Sequence, residues 1–154
     1  MNHIFLVPGY AVRAEVFFPD ALGNIPLQHK GPSGSGETFR GKGGTDHWFH
    51  FPITTPTILN DVRLKCNLVA VTFNPDTTNA FLRRVRVFDR LNMFFESNLL
   101  AETGTDLSNS WVFGRNLFDF PDHVVDGSIG ISVNFSFDQD ANVTFTGAGA
   151  RFHD

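Results

Sequence analysis

The sequence lacks the features that mark a disulfide-bonded, membrane-spanning or secreted protein. Its only cysteine is Cys66, so no disulfide can form within the chain. No apolar run approaches the roughly 18 residues of a transmembrane helix. The first apolar run, Ile4–Val7, stops at Pro8 and is too short for the core of a signal peptide. We therefore expect a cytoplasmic protein without a membrane span, which would leave the cell only by a non-classical route.

A strongly basic surface is also missing. The formal net charge is −4 and the sequence pI is about 5.8, whereas a general nucleic-acid binder needs a basic footprint. We therefore expect no nucleic-acid partner. The exception is a local group of arginines, which we interpret as a solvated strand face beside acidic neighbours. Its members are Arg83, Arg84, Arg86 and Arg90.

Phenylalanine and strand-like alternation dominate what remains. The 154 residues include 18 Phe, and 42% are hydrophobic, which suits one core of ordinary size. Over 129–137 the apolar residues alternate with Gly130, Ser132, Asn134 and Ser136, as in a half-buried strand. Roughly nine to eleven such strands follow one another with regular turn signals. This pattern predicts an all-β fold, an antiparallel β-sandwich of jelly-roll type, in a single domain over residues 1–154.

Two irregularities qualify that pattern. Residues 19–44 are rich in Gly and Pro, which predicts a long loop with a short edge strand over 38–40. Farther along, the apolar positions are even-numbered up to Leu68 and odd-numbered from Val69. A slip of one residue turns every side chain over, so this change of phase requires a bulge or a bend.

The stretch GGTDHWFHFPITTPT, residues 43–57, holds the densest group of aromatic and titratable side chains. On a strand, His47 lies on one face, and Asp46, Trp48 and His50 lie on the other. The two histidines then cannot chelate one metal. Asp46 and His50 are about 13 Å apart along the strand, too far for a hydrogen bond. In one interpretation this is only a packed strand with Trp48 and His50 at its rim.

In the other interpretation the stretch binds a ligand. The flat ring of a tryptophan suits the C–H-rich face of a sugar, and polar neighbours orient the hydroxyl groups. A second tryptophan, Trp111, follows the polar segment 106–110. We predict a site for a carbohydrate or a small apolar ligand that uses Trp48, His50, Trp111 and His47.

Two acidic groups are candidates for metal binding or acid–base chemistry. Asp138, Asp140 and Asn142 have the alternate spacing that begins a calcium loop, although the later glycine and glutamate are missing and a hairpin turn uses the same residues. Calcium at these residues is the one cofactor that we consider. The other group lies in a predicted loop and comprises Asp119, Asp122, His123 and Asp126. Paired carboxylates can bind a cation or transfer protons, but solvated loop residues have the same pattern.

Motifs for nucleophilic catalysis and for nucleotide binding are absent. No serine lies in a nucleophile elbow, and no phosphate-binding loop or dinucleotide fingerprint occurs. Cys66 falls on a predicted buried face, where a thiol is inert. The sequence therefore points away from an enzyme without excluding one.

The stretch FRGKGGTDHWFHFPITTPTI, residues 39–58, resembles the central motif of a family of small, uncharacterised, mostly bacterial all-β proteins. VRVFD at 85–89, GSIGIS at 127–132 and FTGAGARF at 145–152 fit the same pattern. The resemblance covers about residues 36–152 and departs from the family at Arg151, where an acidic residue is expected. It implies a compact β-domain and brings no catalytic residue with it.

Three functions are compatible with these features. The first, which we favour, is a non-catalytic binding module, lectin-like or for a small apolar ligand. The second is a self-assembling structural protein, since sheet edges invite pairing and so many Phe residues would leave an apolar patch; we expect a homo-oligomer. The third is a small β-barrel enzyme that uses His47, His50 or His123 with a nearby carboxylate.

Overall fold

The computed structural model describes residues 1–15, 25–34, 36–99 and 105–154, which form strands, turns and one short 3-10 turn at Gly9–Ala11. Among these residues no helix could cross a membrane. Sheet 1 has the spatial order β11 (Leu117–Val124), β8 (Lys65–Pro75), β13 (Ala141–His153), β4 (Gly36–Gly41) and β3 (Leu27–Ser33), and β1 (Asn2–Pro8) pairs with the second half of β13. Sheet 2 has the order β10 (Asn92–Asn98), β9 (Ala80–Asp89), β12 (Ile129–Phe137), β5 (Thr45–Pro52) and β2 (Arg13–Ala14). Strands β6 (Ile58–Leu59) and β7 (Val62–Arg63) form a separate hairpin.

The connections between the two sheets define the topology. Strands β4, β13, β8 and β11 of sheet 1 face β5, β12, β9 and β10 of sheet 2. Along the chain, each step between consecutive members of this set crosses to the other sheet, except for the β9–β10 hairpin. The pairings among these eight strands are antiparallel. This is the strand order of a jelly roll, so the predicted all-β antiparallel sandwich is confirmed.

Phenylalanine rings fill the space between the sheets. Phe145 on β13 is fully buried, and its ring centroid lies 4.6 Å from that of Phe49 and 5.3 Å from that of Phe135. Phe51 and Phe39 complete the cluster at 5.6 Å and 6.2 Å from Phe145. Most of these pairs meet edge to face, the arrangement that the ring quadrupole favours. The cluster joins both sheets at the centre of the sandwich.

The predicted change of phase in the long strand β8 is confirmed. Leu68 pairs with Arg151, but the next pair along β13 is Cys66 with Phe152, so Asn67 is the extra residue of a bulge. Because of that extra residue, both Cys66 and Val69 point into the core, where each is fully buried. Burial raises the pKa of the Cys66 thiol to about 12, in keeping with an inert cysteine.

The prediction of a long loop over residues 19–44 is wrong for the part that the structure describes. Strands β3 and β4 occupy most of that part, and residues 19–24 and 35 lie outside the described residues. The glycines in β4 serve close packing. A Cβ on Gly41 would lie 2.4 Å from the ring of Phe137, and one on Gly36 would lie 2.4 Å from the Phe145 carbonyl oxygen. Glycine is required where another group approaches the backbone this closely.

We expect Phe145→Ala to lower the free energy of unfolding by about 3–5 kcal/mol, because it leaves a cavity where the rings of both sheets meet. Phe113→Ala is the matched control, since Phe113 is 66% exposed and its loss should change stability by less than about 0.5 kcal/mol. Urea unfolding followed by circular dichroism measures both changes. Similar losses for the two variants would contradict this assignment of the core.

Candidate functional site

The outer face of sheet 2 presents most of the polar and aromatic side chains that the sequence singles out. On β5, His47, Phe49 and Phe51 are buried between the sheets, whereas Trp48 and His50 point outward and are partly exposed. The predicted alternation of this stretch is therefore confirmed. Trp48 and His50 share one surface, and His47 does not.

The central strand of this face carries small side chains between long ones. On β12, Ser132 lies between His50 on β5 and Arg86 on β9, and Asn134 lies between Trp48 and Arg84. The long side chains lean over the short ones, so Ser132 and Asn134 are buried even though they face outward. The result is a shallow trough along β12 with β5 and β9 as its walls.

A cation–π contact spans this trough. The guanidinium carbon of Arg86 lies 4.7 Å from the centroid of the Trp48 ring. Arg86 Nε also donates to Glu96 Oε2 at 2.5 Å, and this bond lowers the pKa of Glu96 below its usual value. Trp48, Arg86 and Glu96 thus form a chain of contacts across β5, β9 and β10. The chain holds the indole in one position, which reduces the entropy lost when a ligand binds to it.

Hydrogen bonds also orient the side chains of the β5 wall. His50 Nδ1 is 2.7 Å from Ser132 Oγ, and His50 Nε2 is 3.4 Å from Glu15 Oε1. Ser136 Oγ donates to Asp46 Oδ1 at 2.5 Å. These bonds leave the second carboxylate oxygen of Asp46 available to accept hydrogen bonds from a ligand.

A cavity of about 310 Å³ opens beside Trp48. It is lined by Asp46, Trp48, Arg83, Arg84, Asn98, Leu99 and Asn134. One aromatic ring is thereby combined with a carboxylate, two amides and two guanidinium groups. The volume lies near the lower end of the range for small-molecule sites, so it suits one small unit of a ligand.

Several of these lining residues were not identified from the sequence. Arg84 and Asn98 lie on strands distant in the chain from Trp48, and only the pairing of β12 with β5 and β9 brings them together. Asn134 was recognised only as part of an alternating strand. In the sequence, the only indication of this cavity is the group of arginines that begins with Arg83 and Arg84, which we interpret there as a solvated strand face.

The structure separates Trp111 from Trp48. Trp111 is 51% exposed and lies with Thr72 and Thr146, beside a cavity of about 450 Å³. Thr72 and Thr146 belong to β8 and β13, on the outer face of sheet 1. The two tryptophans therefore lie on opposite outer faces of the sandwich. A single site containing both, as the sequence analysis predicts, cannot form within one chain.

Two of the three residues proposed for calcium, Asp140 and Asn142, have partners elsewhere. Asp140 accepts from the Gly43 amide at 2.9 Å. Asn142 bonds to Asp76 through its backbone N–H and its side-chain amide, at 2.9 and 2.6 Å. The backbone N–H of Asp138 donates to the Asn79 carbonyl oxygen at 2.9 Å. These bonds join the β12–β13 turn to its neighbours and favour the hairpin interpretation.

Three members of the second acidic group, Asp119, Asp122 and His123, lie on a strand rather than on the predicted loop, and Asp126 follows that strand. Strand β11 extends through Asp119 to His123, with an irregular register that accommodates the proline at 121. The carboxylates of this group diverge, since Asp122 contacts His153 and Asp126 contacts Arg63. In the part of the chain that the structure describes, no three His, Cys, Asp or Glu side chains are grouped so that they could hold a metal.

His123 has a structural partner instead. Its Nε2 lies 3.0 Å from Asp89 Oδ2, and its ring stacks on Phe94 at 3.7 Å between centroids. Asp89 is buried on β9, at the end of sheet 2, and also accepts from the Asp126 amide at 2.7 Å. The His123–Asp89 pair therefore connects the two sheets at one end of the sandwich.

The fold and the face of sheet 2 define a jelly-roll sandwich with a polar, tryptophan-centred surface. No protein-family model matches this chain, and no curated protein matches it either. Among solved structures, a family two carbohydrate esterase from Cellvibrio japonicus is similar over 98% of this chain, with 14% identity and a TM-score of 0.35. The chain spans 34% of the length of that esterase. At this score no conclusion about fold or function follows, and the family resemblance of residues 36–152 stays a prediction.

His47 is a core residue and does not contribute to a ligand site. It is 1% exposed, its Nε2 lies 2.8 Å from Thr45 Oγ1, and its ring lies 5.7 Å from that of Phe137. Burial lowers the pKa of His47 below its usual value near 6.5, and the backbone of Pro26 opposes this effect. The folded protein therefore resists protonation of this ring.

We expect the stability that neutral His47 contributes to be fully present above pH 6.5 and to be lost as the pH falls. The reason is that the unfolded chain protonates this histidine near pH 6.5, while the folded chain does so only at lower pH. Urea midpoints at pH 7.5 and 5.5 measure the effect. In His47→Phe the decrease between the two pH values should be smaller, and an equal decrease would contradict the prediction.

Proposed function

We propose that this chain is a non-catalytic carbohydrate-binding module whose ligand lies on the outer face of sheet 2. The observation that carries the proposal is the cavity beside Trp48, where one indole ring meets a set of polar side chains on rigid strands. A sugar ring can place its C–H face on the indole and its hydroxyl groups on Asp46, Asn98 and Asn134. Ligand-binding surfaces built on strands hold their side chains more rigidly than loops do.

The lining favours a hydroxyl-rich ligand over a small apolar one. Sites for apolar ligands are lined mainly by hydrophobic side chains. Within the described ranges Leu99 is the only aliphatic residue in the lining, and the other members apart from Trp48 are charged or carry amides. Burying an apolar ligand against these groups would remove their water without giving them hydrogen bonds, which is unfavourable.

The histidines support binding rather than catalysis. His50 is 41% exposed and Glu15 is 47% exposed, so this pair stands in solvent on an open face. The His123–Asp89 pair is sheltered, but it is occupied in connecting the two sheets and stacks on Phe94. A general base needs both a shielded partner and room for a substrate beside it.

We expect Trp48→Ala to abolish binding of the sugars that the wild-type protein retains on a glycan array, because the stacking surface is lost. Trp111→Ala is the matched control, since it removes an exposed tryptophan from the opposite face and should leave binding unchanged. The affinities can be followed by titration in a Trp111→Phe background, where Trp48 is the only tryptophan and its emission reports the ligand.

Equal losses in the two alanine variants would contradict the placement of the site. A wild-type protein that binds no glycan would contradict the proposed function itself. Thermal melts of each variant show whether a loss of binding comes from unfolding.

A second function, self-association through the edge of sheet 1, is favoured by strand β1. In the described part of the chain β1 pairs only with β13, so its other edge has unpaired backbone groups. Its sequence, NHIFLVP, has none of the Lys, Arg, Asp or Glu residues that discourage edge pairing. Ile4 and Leu6 are 69% and 65% exposed on its outward side. The phenylalanines are not the source of this patch, because most of them are buried.

The partner that suits this edge is a second copy of the chain. Two β1 strands can pair antiparallel about a two-fold axis, where each strand supplies the same groups to the other. The exposed Ile4 and Leu6 side chains of the two copies would then cover one another. Such a dimer leaves the outer face of sheet 2 open to ligand.

We expect the wild-type protein to have twice the 17.2 kDa mass of one chain in light scattering, and Leu6→Lys to have the mass of one chain. Leu91→Lys is the control, because Leu91 is 94% exposed in the β9–β10 turn and remote from β1. A wild-type monomer at high protein concentration would contradict the dimer, and so would a Leu6→Lys variant that stays dimeric.

A further inference from the structure

Two consecutive arginines line the same cavity, although neighbouring residues on a regular strand point to opposite faces. The pairing of β9 with β12 explains this. Asn134 pairs with Arg84, but Phe135 pairs with Leu82, so Arg83 is the extra residue of a bulge. Bulges re-aim side chains in this way, and they are common beside functional sites. Arg83 therefore joins Arg84 on the outer face instead of pointing into the core.

Among the described residues these two arginines lack the close acidic partner that Arg86 has, although Glu96 is near enough to Arg84 for the Arg84 charge to lower the pKa of Glu96. Arg86 is paired with Glu96, whereas neither Arg83 nor Arg84 has an ion-pair partner in the described ranges. Of the described residues in the lining, Asp46 is the one that is acidic, and it accepts a hydrogen bond from Ser136. The described lining thus carries two positive charges and one negative charge, in a chain whose net charge is −4. This local positive charge is opposite in sign to the net charge of the protein. It is therefore a feature of the site and not of the surface in general.

We propose, on the basis of the function proposed above, that the saccharide bound beside Trp48 is acidic and that Arg83 and Arg84 hold its anionic group. A guanidinium presents two parallel N–H donors that match the oxygens of a carboxylate or a sulfate. The ring of the sugar lies on Trp48, and its charged substituent reaches the bulge in β9. Uronic acids and sulfated sugars share this chemistry, and the experiment below distinguishes them.

The test compares sugars of one backbone that differ only in charge. Trigalactose, trigalacturonate and sulfated trigalactose, with the corresponding glucose and mannose series, are titrated at 50 and 200 mM NaCl. We expect at least one acidic trisaccharide to bind about tenfold more tightly than its neutral counterpart. The preference should decrease at the higher salt concentration, because the cavity is open to solvent. Tighter binding of the uronates identifies the anionic group as a carboxylate, and tighter binding of the sulfated sugars identifies it as a sulfate.

Arg84→Gln should remove most of the preference for the acidic sugar, and Arg83→Gln should reduce it as well. Arg84→Lys keeps the charge without the paired donors and should retain part of the preference. Arg63→Gln is the matched control, since it removes the same charge from the β6–β7 hairpin and should have no effect. Thermal melts confirm that each variant is folded.

The outcomes separate the two proposals. If acidic and neutral trisaccharides bind equally, or if Arg63→Gln lowers the preference as much as Arg84→Gln, this inference is wrong while the binding function stands. If no trisaccharide of any charge binds, both proposals are wrong. If Trp48→Ala abolishes binding and Arg84→Gln removes the preference for the acidic trisaccharide, both the binding function and the acidic ligand are supported.

Discussion

The packing of Phe145 against the rings of the facing sheet is the interaction on which the rest of the structure depends. Phe145 comes from sheet 1, while Phe49 and Phe135 come from the two adjacent strands of sheet 2. Because side chains alternate along a strand, placing these rings inward forces Trp48 and Asn134 outward. The polar face is therefore a consequence of the core. A change of register that exposed the rings would also bury the tryptophan.

Departures from regular strand geometry determine where the special side chains lie. The bulge at Asn67 turns β8 so that both of its apolar runs reach the core. The bulge at Arg83 has the opposite effect, since it brings a second arginine to the outer surface. In each case one extra residue changes the face that its neighbours occupy. The first bulge serves stability, and we infer that the second serves ligand binding.

The two outer faces of the sandwich differ in chemistry, and this separates two modes of interaction. Sheet 2 presents a fixed indole among charged and amide side chains, whereas sheet 1 ends in the apolar edge strand β1. Pairing through β1 would leave both of the proposed ligand sites of a dimer open. Two linked sites bind a repeating polysaccharide more tightly than one site does, because the second contact is made at high effective concentration. Weak binding at each site is sufficient in such an arrangement.

The sequence by itself determined the fold class, which side chains of β5 point into the core, and the bulge in β8. These features depend on the local alternation of apolar and polar residues. It did not reveal β3, and of β4 it indicated only the segment 38–40, since the glycines of these strands resemble a loop until the Phe137 ring is seen against Gly41. It also could not show that Trp48 and Trp111 lie on opposite faces. Such placements depend on which strands become neighbours, and that is decided only when distant segments pair around a shared core. Tertiary structure alone brought Arg83, Arg84 and Asn98 to Trp48.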